Sequence, residues 1–182
     1  MKKSNGWKSI IPYTGIPLIL VTLFATKYGS INSTVLLLHA TLLTIVYFAV
    51  LTDIREKKVA NQLVVTELLF WFVILIPYLF VDTEKAFMLM ISGGVGFILA
   101  AAVFLTVYFV SRGGLGGGDV KLMIVSGLYL GFNGVMPTMF YGSLLAALTA
   151  VVLILIKKMK RKDSFPLVPF LYIGMLITVF VQ

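Results

Sequence analysis

Cysteine is absent from the 182 residues, and histidine occurs once. The first absence excludes disulfide bonds and thiolate metal centres, and together they leave a zinc site without its usual ligands. Charge is also scarce: charged residues make up 12% of the chain, against about 25% in an ordinary soluble domain. We expect no metal and no other cofactor.

Hydrophobic residues are correspondingly abundant. They make up 60% of the sequence, and the mean hydropathy is +1.05. A core for a chain of this length does not need so much apolar surface, so much of it faces lipid. A net charge of +8 would suggest a nucleic-acid partner in a soluble protein. Here the cations occupy short loops between apolar runs, where they set membrane orientation, so we expect no nucleic acid.

Seven apolar runs are candidates for membrane-spanning helices, since about 17 to 25 helical residues cross the hydrocarbon core. Six of them are long: 10–26, 35–51, 63–81, 87–110, 136–156 and 165–181. The seventh, 120–132, is short, although a start near Gly118 would lengthen it. The fold prediction is an all-α polytopic membrane bundle of about seven transmembrane helices, or six if residues 120–132 are re-entrant.

Positive charge predicts the orientation. If all seven runs cross and the N-terminus is cytoplasmic, only Lys27 and Lys85 of the 15 basic residues lie outside. If residues 120–132 do not cross, the basic cluster after Ile156 moves outside, and the split becomes 8 against 7. The positive-inside rule therefore favours seven crossings, a cytoplasmic N-terminus and a C-terminus outside.

Two aspartates stand where an apolar run meets a basic loop. Asp53 ends the second predicted helix, and Asp119 opens the fifth, so the predicted topology puts both on the cytoplasmic side. Acids at membrane depth are costly and are usually functional. Two carboxylates held together share a proton, so that one activates water while the other donates to a substrate carbonyl. The alternative is that each is an interfacial charge, solvated or paired with Arg55 or Lys121.

Five of the six residues before Asp119 are glycines, Gly116 and Gly118 among them. Glycine permits positive φ and close approach of another backbone, which an extended peptide substrate would need. A phosphate-binding loop is disfavoured, because no Lys-Ser or Lys-Thr pair follows and no strand precedes. A flexible hinge without a catalytic role remains the alternative.

Three segments resemble the motifs of type IV prepilin peptidases. Residues 116–122, Gly-Gly-Gly-Asp-Val-Lys-Leu, are similar to the GxGD signature, which has a lysine two residues after the aspartate. Residues 53–61 resemble a first motif of aspartate, five residues and Ile-Pro-Asn, with Ala60 in place of proline. Residues 166–171, Pro-Leu-Val-Pro-Phe-Leu, are similar to a late Pro-Phe-Gly-Pro-Phe-Leu segment.

The resemblance implies a single integral-membrane aspartyl peptidase domain over residues 1–182, in the cytoplasmic membrane of a prokaryote. Asp53 and Asp119 would be the catalytic pair at the cytoplasmic face. The substrate would be a prepilin or pseudopilin of a type IV pilus or secretion system, which would lose a short basic leader. The compact members that this chain resembles lack the cytoplasmic insertion with zinc-binding cysteines, so the prediction covers the peptidase activity and does not extend to N-methylation. The expected partners are this precursor and the lipid bilayer.

Other residues of the motifs have supporting roles to test. Lys121 would hold the glycine loop, meet an acidic residue of the substrate or extend to the interface. Asn61 would cap the third helix, our first expectation, or form a hydrogen bond near the acids. Glu67 would be a second proton partner or would pair with a neighbouring Thr or Lys. Pro166 and Pro169 mark a substrate-side segment.

Two alternative functions belong to other classes. A proton-coupled carrier would place its acids near the bilayer midplane and would show repeated halves. The two marked acids lie instead at one surface, and no repeat is visible. A non-catalytic scaffold of a pilus or secretion assembly would look the same in sequence, and only a cleavage assay separates it from a peptidase.

Overall fold

The computed structural model describes residues 14–56, 58–111, 115–157 and 166–181, which are helical almost throughout. The helices are α1 (Gly15–Lys27), α2 (Ser33–Glu56), α3 (Asn61–Val81), α4 (Thr83–Val110), α5 (Gly117–Leu155) and α6 (Val168–Val181). No strand occurs in these ranges, and the predicted all-α fold is confirmed. The helix starts predicted at residues 10 and 165 lie outside the described residues.

Four helices, α2 to α5, are long and apolar enough to cross a membrane, whereas α1 and α6 are shorter apolar helices. Large apolar side chains point outward along them, and Leu69, Val73 and Ile98 are each more than half exposed. Such a surface is stable against lipid rather than water. The predicted multi-pass helical membrane protein is confirmed, while the number of crossings and the sides of the termini remain predictions.

α5 contains a sharp break at Gly131, where φ is 63° and ψ is −172°, a conformation essentially restricted to glycine. Ser92 of α4 lies against Gly131, and earlier in α5 Gly127 packs on Gly96. Later positions on α4 thus meet earlier positions on α5. The first part of α5, here α5a (residues 117–130), therefore runs antiparallel to α4.

Beyond the break the chain turns back. Ser143 lies in one cavity with Phe104 of α4 and with Leu115, which precedes α5a. The second part, here α5b (residues 132–155), therefore returns toward the end of the bundle where α5a began. If residues 120–132 were re-entrant and α5b crossed to the other side of the membrane, Lys157 and Asp119 would lie at opposite ends of the bundle. The turn at Gly131 instead brings α5b back to the end where α5a begins. It excludes that arrangement whether or not α5a reaches the far surface.

The break removes a helical hydrogen bond between the N–H of Phe132 and the carbonyl of Leu128, and both groups find partners on neighbouring helices. In an unbroken helix the N–H of Phe132 would donate to the carbonyl of Leu128. Here the Phe132 N–H donates to Ser92 Oγ at 3.3 Å, and the Leu128 carbonyl accepts from Trp71 Nε1 at 3.1 Å. Unpaired backbone groups inside a bilayer are costly, so α3 and α4 stabilise the turn with side chains.

Small residues let α6 pack closely against α5b. Gly142 faces Leu171, and Gly174 faces Thr138, so the two helices are antiparallel. The first residues of α6 therefore lie where α5a begins and α2 ends. We call this end of the bundle, which carries Asp53 and Asp119, the acidic end. The far end is the opposite one, which holds the Gly131 turn and the α3–α4 junction.

Candidate active site

Asp53 and Asp119 come together at the acidic end because two helices terminate there. Asp53 lies in the last turn of α2, and Asp119 is the third residue of α5a. Both are buried, with 3% and 8% of their surface exposed. They are also close enough that the charge of Asp53 acts on Asp119. The structure thus places two carboxyl groups from distant parts of the sequence in one buried site.

Asp53 is held by the start of α6. The N–H of Val168, the first residue of that helix, donates to the Asp53 carboxylate. This N–H has no partner within its own helix and lies at the positive end of the helix dipole, which suits a carboxylate. The other oxygen, Oδ2, is buried and has no hydrogen-bond partner among the described residues. One oxygen of Asp53 therefore has a backbone donor, and the second has no partner among the described residues.

The late proline motif surrounds this contact in the sequence. Pro166 immediately precedes Leu167 and Val168, and Pro169 stands in the first turn of α6. Proline is tolerated there because the first N–H groups of a helix lack internal partners. Of the motif residues, only Val168 contributes a backbone donor to Asp53. The structure therefore brings the late segment to the two acids.

Gly116 and Gly118 let neighbouring atoms lie close to the backbone. A Cβ on Gly116 would lie 3.0 Å from Asp119 Oδ2, and one on Gly118 would lie 3.0 Å from both Cβ and the carbonyl oxygen of Val59. The described glycines with positive φ are Gly29 and Gly131, so Gly116 and Gly118 provide close approach and not positive φ. Gly113 and Gly114 lie outside the described residues. The segment before α3 thus packs directly on the first turn of α5a, which carries Asp119.

Asn61 does not cap α3. The helix begins at Asn61 itself, its N-cap is Ala60, and no side chain caps it. Our first expectation was therefore wrong, because the capping position falls one residue earlier. Asn61 Oδ1 instead accepts a hydrogen bond from Lys121 Nζ at 3.4 Å. This exposed contact joins the first motif to the GxGD-like motif through Lys121, two residues after Asp119.

No cation neutralises the two acids among the described residues. The ion pair found among the described residues joins Asp82 and Lys85 at 2.7 Å, at the far end of the bundle. Arg55 and Lys121 are both exposed and form no ion pair with either acid in the described ranges. The alternative interpretation, in which Arg55 or Lys121 pairs with an aspartate, is therefore wrong for this part of the chain. Burial without a counter-charge distinguishes this site from a solvated interface.

Glu67 lies deeper in the bundle, away from the acids. Its side chain is fully buried, and Oε1 accepts from Ser126 Oγ at 2.7 Å. The hydroxyl of Tyr129 donates to the main-chain carbonyl of Glu67. Ser126 is seven residues beyond Asp119, which is about 10 Å along the helix. The expected Thr or Lys partner is wrong, because α3 faces α5a, which offers Ser126 at that depth.

Sequence reasoning missed the contacts that assemble the site. Val168 acts through its backbone, which leaves no trace in the residue type. Val59 was visible only as part of the first motif, and its close contact with Gly118 depends on how two loops meet. Ser126 carried a weak signal, since a hydroxyl in an apolar helix needs a partner.

The fold and site together define a multi-pass helical membrane protein with two interacting buried acids at one end of its bundle. Residues 40–151 match the type IV leader peptidase family, a range that includes both acids. The prepilin leader peptidase/N-methyltransferase of Bacillus subtilis (strain 168) is 23% identical over 176 residues, covering 96% of this chain and 68% of that protein. No solved structure matches significantly. The chain belongs to the type IV leader peptidase family, and this membership makes it a leader peptidase.

Proposed function

We propose that Asp53 and Asp119 are the catalytic pair of this peptidase and hydrolyse the leader from a prepilin or pseudopilin at the cytoplasmic face of the membrane. The carrying observation is the convergence of two buried acids that lack a cation partner in the described residues. The relative in Bacillus subtilis is named as a prepilin leader peptidase, which supports a precursor of this kind as substrate.

Hydrolysis needs one acid as base and one as proton donor. The base takes a proton from water while the water oxygen bonds to the scissile carbonyl carbon. The other carboxyl group donates its proton to the carbonyl oxygen. As the C–N bond breaks, the first acid passes the proton that it took from water to the leaving amine. The second carboxylate takes a proton back from one hydroxyl group of the intermediate, so both acids return to their starting states. The Asp53 oxygen without a partner is free to contact water or the carbonyl, while the Val168 N–H holds the other oxygen.

The cytoplasmic location rests on charge. The described cations at the acidic end are Arg55, Lys58, Lys121 and Lys157, whereas Lys27 and Lys85 lie at the far end. The remaining predicted inside cations, Lys2, Lys3, Lys8, Lys57, Arg112, Lys158, Lys160, Arg161 and Lys162, lie outside the described residues. The positive-inside rule puts the richer side in the cytoplasm of a prokaryotic cell.

The chain has no cysteine, so single cysteines report sidedness without background. Lys58→Cys at the acidic end and Glu84→Cys at the far end are a matched pair of exposed positions. A membrane-impermeant maleimide added to intact cells is expected to label the second and spare the first. Labelling of Lys58→Cys alone would reverse the proposed orientation.

Cleavage by aspartate variants tests the catalytic pair. Asp53→Asn and Asp119→Asn are each expected to leave a co-expressed prepilin uncut on a gel, while Asp82→Asn at the far end cuts it normally. Full processing by either of the first two variants would reject the pair. A non-catalytic scaffold would keep its phenotype with both, so the same experiment also tests that alternative.

A further inference from the structure

A buried acid that the proposed hydrolysis does not use lies on α3, deeper in the bundle than Asp53 and Asp119. The side chain of Glu67 is 0% exposed and accepts from Ser126 Oγ through Oε1. Its other oxygen, Oε2, is buried and has no hydrogen-bond partner among the described residues. An unpaired carboxyl oxygen is costly inside a bilayer, and an apolar residue would pack there without that cost. Stability therefore does not explain a glutamate at this position.

The partner of Glu67 belongs to the helix that carries Asp119. Seven residues separate Ser126 from Asp119, which is about 10 Å along the helix axis. The backbone of α5 is helical over this stretch, and its break comes later, at Gly131. A regular helix moves as a unit, so a shift or rotation at Ser126 also displaces Asp119. The contacts that fix α5a sideways therefore also fix where this acid lies relative to Asp53.

The side of α5a that meets α4 supplies close packing. A Cβ on Gly93 would lie 2.7 Å from the carbonyl oxygen of Leu128. Further along, Gly96 and Gly127 meet backbone to backbone. Small residues of this kind bring two membrane helices together. Direction comes from hydrogen bonds, because they require a defined distance and angle.

The directional contacts of α5a lie on the side of α3. In the ranges that the structure describes, the side-chain hydrogen bonds from α5a to other helices all lead to α3. We call these four contacts the α3–α5a seam: Lys121–Asn61, Ser126–Glu67, Tyr129–Glu67 and Leu128–Trp71. Of the four, the bond between Ser126 and Glu67 joins two buried side chains. A single buried polar contact of this kind can fix the register of packed helices.

We infer that Glu67 is a positioning residue of the peptidase, which sets the depth and rotation of α5a through Ser126 and so holds Asp119 against Asp53. This rests on the proposed function of the two aspartates. The Glu67–Ser126 bond then contributes to the geometry of the acids, while the fold is stable without it. The Tyr129 hydroxyl donates to the main-chain carbonyl of Glu67, so this second bond persists when the Glu67 side chain is replaced.

The test replaces both side chains of the buried bond by apolar ones. Glu67→Met keeps the unbranched shape of glutamate, and Ser126→Ala removes the hydroxyl, so the double variant loses both polar groups together. Its unfolding temperature in detergent should equal or exceed that of wild type. Its kcat on a purified prepilin should fall about tenfold with an unchanged KM, because the acids are misplaced while substrate binding is not affected. Glu67→Gln keeps an acceptor for Ser126 and should retain kcat within about twofold.

Ser143→Ala on α5b is the matched control, because the Ser143 hydroxyl donates to carbonyls of its own helix. This variant should cleave at the wild-type rate. A wild-type kcat in the double variant would overturn the positioning role, as would a loss in Glu67→Gln equal to that in the double variant. A parallel fall of unfolding temperature and kcat would also overturn it, since the bond would then be merely structural. Full cleavage by Asp119→Asn, measured beside these variants, would instead overturn the proposed function.

Discussion

The two ends of the helical bundle treat their polar groups in opposite ways. At the far end Asp82 caps α4 by accepting from the Lys85 N–H and also pairs with the Lys85 ammonium. Hydrogen bonds from Lys85 hold the pKa of Asp82 below its usual range. Asn32 likewise caps α2 and donates to the hydroxyl of Tyr78. Apart from His39 Nδ1, the described polar side chains at this end are solvated or have partners.

At the acidic end the aspartates have fewer partners although they are more buried. Asp53 has a single backbone donor, and its Oδ2 is buried without a partner in the described ranges. A buried polar group without a partner destabilises the fold. Such groups concentrate at functional sites, where the missing partner is supplied by substrate or water. The far end thus pairs its polar groups, and the acidic end leaves a carboxylate oxygen without a partner in the described residues, which is why we propose the chemistry there.

The largest expected effect, on cleavage rate and on stability, comes from replacing one aspartate at each end of the bundle. Asp53→Asn should reduce the rate of cleavage by at least about 10³-fold without lowering the unfolding temperature, because the carboxylate it replaces is buried and under-satisfied. Asp82→Ala should do the reverse, since it removes a helix cap and leaves the acidic end untouched. Cleavage rate and thermal unfolding in detergent, measured on both variants, check this. A loss of stability in Asp53→Asn would contradict the comparison.

The next largest effect is a loss of stability on substitution of Gly131 at the turn in α5. Gly131→Ala places a Cβ 2.5 Å from Ser92 Oγ and forces a positive φ on alanine. It should cost about 2–3 kcal/mol of unfolding free energy. Gly94→Ala is the control, because its Cβ would meet nothing within 4 Å inside a regular helix. Equal unfolding midpoints for the two variants in denaturant titrations would show that the turn is not strained.

Gly118 gives a smaller effect that is confined to activity. Gly118→Ala brings a Cβ against Val59, so the first turn of α5a, which carries Asp119, must move by a few tenths of an ångström. Misplacement of a reacting group by about 1 Å can cost about 10²-fold, and we expect about tenfold here. Gly117→Ala, whose Cβ would meet nothing within 4 Å, should keep the wild-type rate. If the two variants cleave equally, the contact with Val59 does not position Asp119.

The exposed hydrogen bond between Lys121 and Asn61 should matter least. Lys121→Gln removes the charge, and a solvated contact of this kind contributes about 1 kcal/mol or less. The cleavage rate should fall by less than about fivefold. Loss of all activity would show that Lys121 contacts the substrate instead of holding the loop.

The sequence predicted the parts of this protein that depend on composition along the chain. Apolar length located the membrane helices, and the change from apolar run to polar loop located Asp53 and Asp119 at helix ends. The single histidine, His39, is buried in α2 at about 21 Å from Asp53 along the helix axis. These predictions rest on local pattern alone.

The rest depends on direction and contact, which hydropathy does not encode. In the sequence, α5a and α5b appeared only as a short apolar run followed by a long one. A single glycine reverses the chain between them without any polar loop. The partner of Glu67 was missed because it comes from another helix, and the cap of α3 was misplaced by one residue. The Val168 contact with Asp53 is made by a backbone group that every residue except proline possesses.

The most direct test of the catalytic pair is a double-variant cycle of cleavage rates. Asp53→Asn, Asp119→Asn and the double variant are compared with wild type in single-turnover reactions on one prepilin. Groups that act as one unit are not additive, so the double variant should be no slower than the slower single variant. A double variant whose loss equals the product of the two single losses would show that the acids act independently, and it would contradict the pair.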